Sequence, residues 1–551
     1  MTLQRRELVL AFLILLIPFS LRAQVSSERL LHASDEPQNW LTYSGSYASQ
    51  RYSSLRQINL TNVKNMELKW AFQAQSLQKF ESTPLVVDGI MYVTQSPNDV
   101  LALDAKTGRA FWMYRYTPSP DARPCCGIVN RGVAILGDSL YMATVDAHLV
   151  AIDARNGKVL WNKKLAEPAA GYAATLAPLV VKDKVIVGVA GGEYGIRGFI
   201  AAFNASTGEE AWRFNTVPDS DDPAHETWSG DSYKHGSAAV WMTGSYDPNL
   251  NLTYWGTGNP GPDFAIAQRV GDNLYSDSVV ALDPDTGKLK WYFQFSPHDP
   301  YDFDSVQVPV LADANWHGST RQLMLWGNRN GFFYVLDRTN GRFLLGNPFV
   351  KVNWASGLDA NGRPMITPQP PGQPSYPGIQ GGTNWYSPSY SPRTGLFYLS
   401  TWEDYSTTIS GVPVEYKEGQ RFGGGAVTGA ITGGDNPGTT RQGPINTYTE
   451  AVAHGSVKAL DPQTGKSKWT FDMHDVNTSG ILTTASDLLF AGGREGYFHA
   501  FDARNGNLLW KINLGGEVVA GPITYQVEGK QYVAIAAGNG LFVFSPRDGA
   551  K

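Results

Sequence analysis

"ALDAKTGRAFW", residues 102–112, holds a small apolar run, an Asp, a Thr-Gly pair and a Trp four residues after the Gly. The frame returns as "AIDARNGKVLW" at 151–161, "AFNASTGEEAW" at 202–212, "ALDPDTGKLKW" at 281–291, "ALDPQTGKSKW" at 459–469 and "AFDARNGNLLW" at 500–510. "VLDRTNGRFLL" at 335–345 keeps the turn and lacks the Trp. Each copy reads as strand, tight turn, strand, with the Asp capping the turn and the Gly supplying positive φ. The Trp on the returning strand is placed to pack between neighbouring sheets. Other β-rich runs with Gly or Asp turns fill the intervals, such as "PLVVDGIMYVT" at 84–94 and "PLVVKDKVIVGVA" at 178–190. A period of roughly 40–55 residues with about four strands each is the pattern of β-propeller blades. "ELKWAFQ" at 67–73 reads as part of an eighth, split blade that closes the ring with the C-terminal strands. The expectation is an all-β chain forming a single eight-bladed propeller over 24–551.

Long loops interrupt this pattern at about 345–450. They include the Pro- and Gly-rich stretches 368–382 and 423–438. They are either surface decoration or a lid over the axial site.

The chain has 551 residues, 12% of them aromatic, with 58 Gly and 16 Trp, which suits a turn-rich β protein with a large core. A net charge of −5 without a Lys/Arg run argues against nucleic acid as a partner. Arg5 and Arg6 precede the apolar run 8–21, and "LRA" ends at Ala23. This predicts a secretory signal peptide over 1–23 and a periplasmic address. Pro18 and the shortness of the run disfavour a membrane anchor, and no other stretch is long enough to span a bilayer. The two cysteines, Cys125 and Cys126, are neighbours. In an oxidising compartment they are either separate buried thiols or a vicinal disulfide. No C-x-x-C-H is present, so a c-type haem is not expected.

"HDPYDFD", residues 298–304, crowds Asp299, Asp302 and Asp304 among aromatic rings with no basic residue. It is either a solvated turn or a place where something positive binds. None of the 9 His shows metal-ligand spacing, and His298 reads as structural.

The Trp turns, the adjacent cysteines followed five residues later by Arg131, "GNPGP" at 258–262 and "PHDPYDFD" at 297–304 occur in that order. Together they resemble the pyrroloquinoline quinone (PQQ)-dependent alcohol dehydrogenases, of methanol and ethanol dehydrogenase type, from about Trp40 to the end. The turn repeat alone is shared with non-catalytic propellers of outer-membrane assembly factors.

The resemblance implies a vicinal disulfide, Cys125–Cys126, against one face of the quinone and Trp241 stacked on the other. It implies cofactor contacts from Glu81, Arg131, Thr175, Gly191, Gly192 and Asn384. Glu193 and Asn259 match metal ligands, Asp302 the catalytic base beside the metal, and Arg329 the cation at the reactive quinone oxygens. Chemically, a flat tricarboxylate quinone needs faces above and below it and cations at its rim. A hard cation held by oxygens can polarise a carbonyl, while Asp302 takes the hydroxyl proton as hydride passes to the quinone.

In an extended segment Asp302 and Asp304 would share a side. Lanthanide-using members of the family carry an Asp at the second position, where calcium-using members generally carry a small or neutral residue. A lanthanide is therefore expected over Ca²⁺, with Asp304 as the added ligand. Two departures bear on substrate choice: Ala190 and Gly192 replace parts of a Ser-Gly-Ala run, and Thr478 stands where relatives carry a Trp.

The expected activity is oxidation of a primary alcohol to an aldehyde, with a soluble cytochrome c as electron acceptor, no stable membrane insertion, and a homodimer allowed. The alternatives are a PQQ sugar or polyol dehydrogenase and a non-catalytic scaffold propeller.

Overall fold

The computed structural model describes residues 25–370, 372–428, 453–547 and 549. The expected signal peptide, 1–23, lies outside them, as does most of the second Gly-rich stretch. Among the described residues, eight antiparallel sheets of four or five strands form the propeller.

Blade 1 comprises Leu85–Val87, Ile90–Gln95, Asp99–Asp104 and Ala110–Tyr114. Blades 2 to 6 follow in chain order, starting at Ala134, Leu179, Ser245, Val310 and Ser389, and blade 7 starts at Ile481. Blade 7 gains a short parallel strand, Tyr52–Ser53, beside Thr483 and Thr484. Blade 8 is split as the sequence suggested: Met66–Gln73 pairs antiparallel with Gly540–Pro546, the last strand of Ile523–Val527, Lys530–Ala537 and Gly540–Pro546. Met66–Gln73 thereby closes the ring.

The repeat explains how blades adhere. In blade 1, Asp104 Oδ1 accepts from the Lys106 and Thr107 N–H groups, and Gly108 turns the chain at φ +75°. The indole of Trp70, from blade 8, covers that glycine so closely that a Cβ there would come 2.5 Å from the ring. The same contact joins Trp112 to Gly157, Trp161 to Gly208, Trp212 to Gly287, Trp291 to Gly341 and Trp469 to Gly506. At most seams the indole Nε1 also donates to a carbonyl of the next turn, as Trp112 does to Ala154 at 3.1 Å and Trp161 to Ala205 at 3.1 Å. Blade 5, whose repeat lacks the Trp, instead sends Asn347 Nδ2 to the Thr464 carbonyl at 2.7 Å.

Arg51 ties the N-terminal arm to the ring. It is fully buried and donates to the carbonyls of Tyr43, Ile481 and Pro522.

Candidate active site

All fourteen residues singled out from the sequence line one cavity of about 210 Å³ at the inner ends of the blades. Their convergence follows from blade geometry. The chain entering each blade passes close to the axis, and neighbouring entries are joined by backbone hydrogen bonds: Thr83 N–H to Arg131 C=O, and Arg131 N–H to Thr175 C=O, both at 3.0 Å.

That arrangement delivers a buried polar corner. Arg131 Nη2 lies 2.8 Å from Glu81 Oε2, and Nη1 donates to Thr175 Oγ1 at 2.8 Å. The Arg131 guanidinium also lies over the rings of Trp241, at 5.2 Å, and Trp385, at 4.5 Å. Its Nε is buried without a hydrogen-bond partner, so the corner has a donor to spare for an anionic group.

Cys125 and Cys126 are joined as a disulfide, and no cysteine is free. Glu193 Oε1 sits 2.6 Å from Cys125 Sγ, which as a disulfide sulfur has no proton to share. Glu193 rides on a single 3-10 turn, Gly192–Tyr194, between two left-handed glycines, Gly191 at φ +115° and Gly195 at φ +62°. Burial pushes its carboxyl up to about 7, and the nearby charges of Asp263 and Asp304 push the same way.

Asn259 presents its backbone N–H to Asp304 Oδ1 at 2.9 Å, while its side-chain Nδ2 is held by Asp263 Oδ1 at 3.0 Å. Fixing the amide nitrogen leaves the amide oxygen as the group free to meet a ligand. The residue before it, Gly258, must be Gly: a Cβ would come 2.4 Å from Asp304 Oδ1.

In "HDPYDFD" the division of labour is clear. Asp299 is buried and caps the turn, its Oδ1 accepting from Tyr301 N–H at 2.8 Å and its Oδ2 from Phe303 N–H at 2.6 Å. The rings of Tyr301 and Phe303 pack 5.0 Å apart and both lie against Trp354. Asp302 does not lie in an extended strand: its φ is +61°, a left-handed position open to Asp because the side chain is short. Alternation along a strand is therefore not what brings Asp302 and Asp304 to one cavity; the Asp299-capped turn aims them.

Arg329 Nη1 donates to Asp304 Oδ2 at 2.6 Å and Nη2 to Asp302 Oδ2 at 3.4 Å. Arg329 is itself clamped by the Ile379 carbonyl, which accepts from its Nε and Nη2. Burial pushes the Asp302 carboxyl well above the usual carboxylate range, and repulsion from Asp304, Asp263 and Glu193 adds to this against the pull of Arg329.

Asn384 is in the cavity wall, but its amide serves its own loop, donating to Gln380 C=O and accepting from Trp385 N–H. Thr478 Oγ1 lies 3.1 Å from both Glu517 Oε1 and the Val518 carbonyl. His298 Nδ1 meets the Gly271 carbonyl at 2.8 Å, a structural role.

Several further groups at or near the site carry no sequence signal. Asp263, four residues after Asn259, orients a candidate ligand. Trp385 and Gln380, in the described part of the long loops, and Trp402, in the blade 6 strand Leu396–Glu403, form wall, so the loop before that blade reaches the cavity. Asp277 is wholly buried with neither carboxylate oxygen hydrogen-bonded, and burial pushes it well above the usual range. No short motif announces these residues.

Glu193, Asp302 and Asp304 bring three carboxylates and Asn259 an amide oxygen to one cavity, a donor chemistry that suits a hard cation. The walls fit a flat polyanion, with Trp241, the disulfide and the Arg131 corner around one space.

The family model "Glucose/ethanol/alcohol dehydrogenase, beta-propeller domain" matches residues 40–353, and that of the outer membrane protein assembly factor BamB matches 453–551. The chain belongs to the PQQ-dependent alcohol dehydrogenase family. It is 38% identical to the quinoprotein alcohol dehydrogenase PedH of Pseudomonas putida over 97% of this chain and 92% of the relative. It is 36% identical to the lanthanide-dependent methanol dehydrogenase of Methylacidiphilum fumariolicum over 95% and 88%. Among solved structures, quinohemoprotein alcohol dehydrogenase from Comamonas testosteroni superposes with a TM-score of 0.87 at 34% identity, covering 95% of this chain and 82% of that one. A europium-containing methanol dehydrogenase gives 0.85 at 33%, covering 94% and 100%. Among the described residues, no helix is long and apolar enough to cross a membrane.

Proposed function

We propose that the protein is a periplasmic dehydrogenase that oxidises a primary alcohol to an aldehyde, with Asp302 as general base and a metal ion held by Glu193, Asn259, Asp302 and Asp304. A lanthanide is favoured over Ca²⁺. Electrons leave to a cytochrome c, and a homodimer is compatible with this reading.

The observation that carries it is the meeting of Asp302, Asp304, Glu193 and Asn259 with Arg329 in one cavity that Trp241 and the disulfide also line. PQQ, held by Trp241, the disulfide and the Arg131 corner, would supply a hydride acceptor, and a metal ion held by Glu193, Asn259, Asp302 and Asp304 would supply Lewis-acid polarisation. Asp302 takes the hydroxyl proton at Oδ1 or Oδ2; its raised proton affinity, set by burial and neighbouring carboxylates, makes it a better acceptor than an exposed Asp. Arg329 steadies the Asp302–Asp304 pair and offers its guanidinium to charge appearing beside it. The Glu81–Arg131–Thr175 corner orients the cofactor's acidic edge. Asp304 adds a third carboxylate, which suits a trivalent ion.

The test is reconstitution of metal-free, PQQ-free protein with PQQ and either Ca²⁺ or La³⁺, assayed with a dye acceptor over a series of primary alcohols. Turnover with La³⁺ is expected. No activity with either metal overturns the proposal. Turnover with Ca²⁺ alone, together with an unaffected Asp304→Ala variant, removes the lanthanide assignment.

A further inference from the structure

Two consecutive residues outside the cavity grip both loops that carry the non-aspartate metal ligands. The Phe422 N–H donates to the Glu193 carbonyl at 2.7 Å, and the Gly423 carbonyl accepts from the Phe264 N–H at 2.8 Å. Phe264 follows Asp263, whose carboxylate fixes the Asn259 amide. One short stretch of backbone therefore cross-links the Glu193 turn to the Asn259–Phe264 loop.

That stretch is part of a strap, residues 412–424, anchored along its length. Val412 N–H donates to Gly424 C=O at 2.8 Å. Gln268 bonds Val414 in both directions, accepting from its N–H at 2.9 Å and donating to its carbonyl at 3.0 Å. Arg421 Nη2 reaches the Cys125 carbonyl at 3.3 Å, touching the disulfide loop as well.

A three-ring clasp holds the strap down. Tyr416 stacks on His235 with centroids 3.4 Å apart and planes 16° from parallel, and Phe422 meets Tyr416 edge-on at 5.5 Å. Phe422 is buried against Gly195, where a Cβ would come 2.7 Å from Phe422 Cδ1. His235 Nδ1 lies 3.2 Å from the Gly195 carbonyl, so the clasp grips the same turn that carries Glu193.

The need for such a grip follows from the turn itself. Glycines on both sides of the Glu193 turn give its backbone wide conformational freedom. Ligands held from behind keep their geometry, and loss of such support costs metal affinity.

We propose that Phe422 and Tyr416 are positioning residues: through the strap they hold the Glu193 and Asn259 loops in register and set the affinity for the metal ion. This rests on Glu193 and Asn259 being metal ligands, and the test separates the two.

The experiment titrates Tb³⁺ into the PQQ-loaded full chain and follows tryptophan-sensitised luminescence, with La³⁺ and Ca²⁺ as competitors. Phe422→Ala is expected to weaken Tb³⁺ binding about 10- to 100-fold. Phe422→Tyr should restore it, and Tyr416→Ala should fall between. Melting of the metal-free proteins is measured in parallel, because a merely structural residue would lower the melting temperature without changing the metal affinity of the folded fraction. If Phe422→Ala does not fold, Tyr416→Ala decides. Tight Tb³⁺ binding by the wild type with unchanged affinity in the variants overturns the clasp alone. No Tb³⁺ binding by the wild type overturns the metal site, and the clasp with it.

Discussion

Arg329 binds Asp304 at 2.6 Å and Asp302 at only 3.4 Å, from two nitrogens of one guanidinium. Asp304 is thereby committed to a charge partner, while Asp302 keeps an oxygen facing the cavity and the weaker hold on the shared cation. Coulomb attraction falls with distance, so the guanidinium opposes proton uptake by Asp302 only weakly, and burial keeps that carboxyl well above the usual range.

Asp302→Asn keeps the size of the side chain and removes its basicity. Turnover in the dye-linked assay should fall about a thousandfold, within the usual range for loss of a general base. PQQ content, read by absorbance, shows whether the variant still loads. Activity within tenfold of wild type at full loading would falsify the assignment.

Asp304→Ala removes one carboxylate from the candidate donor set and the acceptor of the Asn259 N–H. La³⁺-supported turnover should drop by at least tenfold, on the order of a lost or misoriented ligand, and more steeply than Ca²⁺-supported turnover. Equal loss with both metals would mean that Asp304 does not discriminate between them.

The Glu81–Arg131 pair is nearly dry, each residue about 6% exposed. Glu81→Gln leaves the guanidinium facing a neutral amide and should cost about 3–5 kcal/mol in urea unfolding of the PQQ-free protein. A double variant, Glu81→Gln with Arg131→Met, should recover part of that loss. Failure of the single variant to destabilise would show that Thr175 and the two indoles suffice to hold Arg131.

His499 is buried in blade 7, its Nδ1 without a hydrogen-bond partner, and burial with the charge of Lys511 holds its pKa down to about 4. The folded protein keeps the ring neutral, whereas the unfolded chain protonates it near 6.5. Stability is therefore unaffected above that pH and falls as the pH drops from 6.5 toward 4, by up to about 3 kcal/mol. His499→Phe should flatten this part of the pH–stability curve in denaturant titrations. An unchanged slope would assign the acid loss to other groups.

The fold was largely legible because each blade repeats its own turn chemistry. Asp104, Thr107, Gly108 and Trp112 lie within one short window, and the contact that joins blades uses Trp and Gly at six of the seams. The candidate site was legible where local strings carry it, as in the adjacent cysteines, "GNPGP" and "HDPYDFD". What stayed hidden was made by residues far apart in the chain. Phe422 meets Glu193 only through the fold, and Asp277 lies in an ordinary-looking stretch, "LYSDSVV", that gives no hint of total burial. The left-handed φ of Asp302 was equally invisible, since Asp is a residue that takes that conformation without a glycine to mark it.

The Trp-over-Gly contact points one way round the ring, from the returning strand of one blade to the turn of the following blade, at six seams. Between blades 5 and 6 the same job falls to Asn347 and Leu345 against Thr464 and Gly465. A ring of near-identical modules could otherwise assemble one place out of step. The odd seam works as an index mark: shifted by one blade, an indole would arrive where an amide is required, and the chain would have a reason to count its blades correctly.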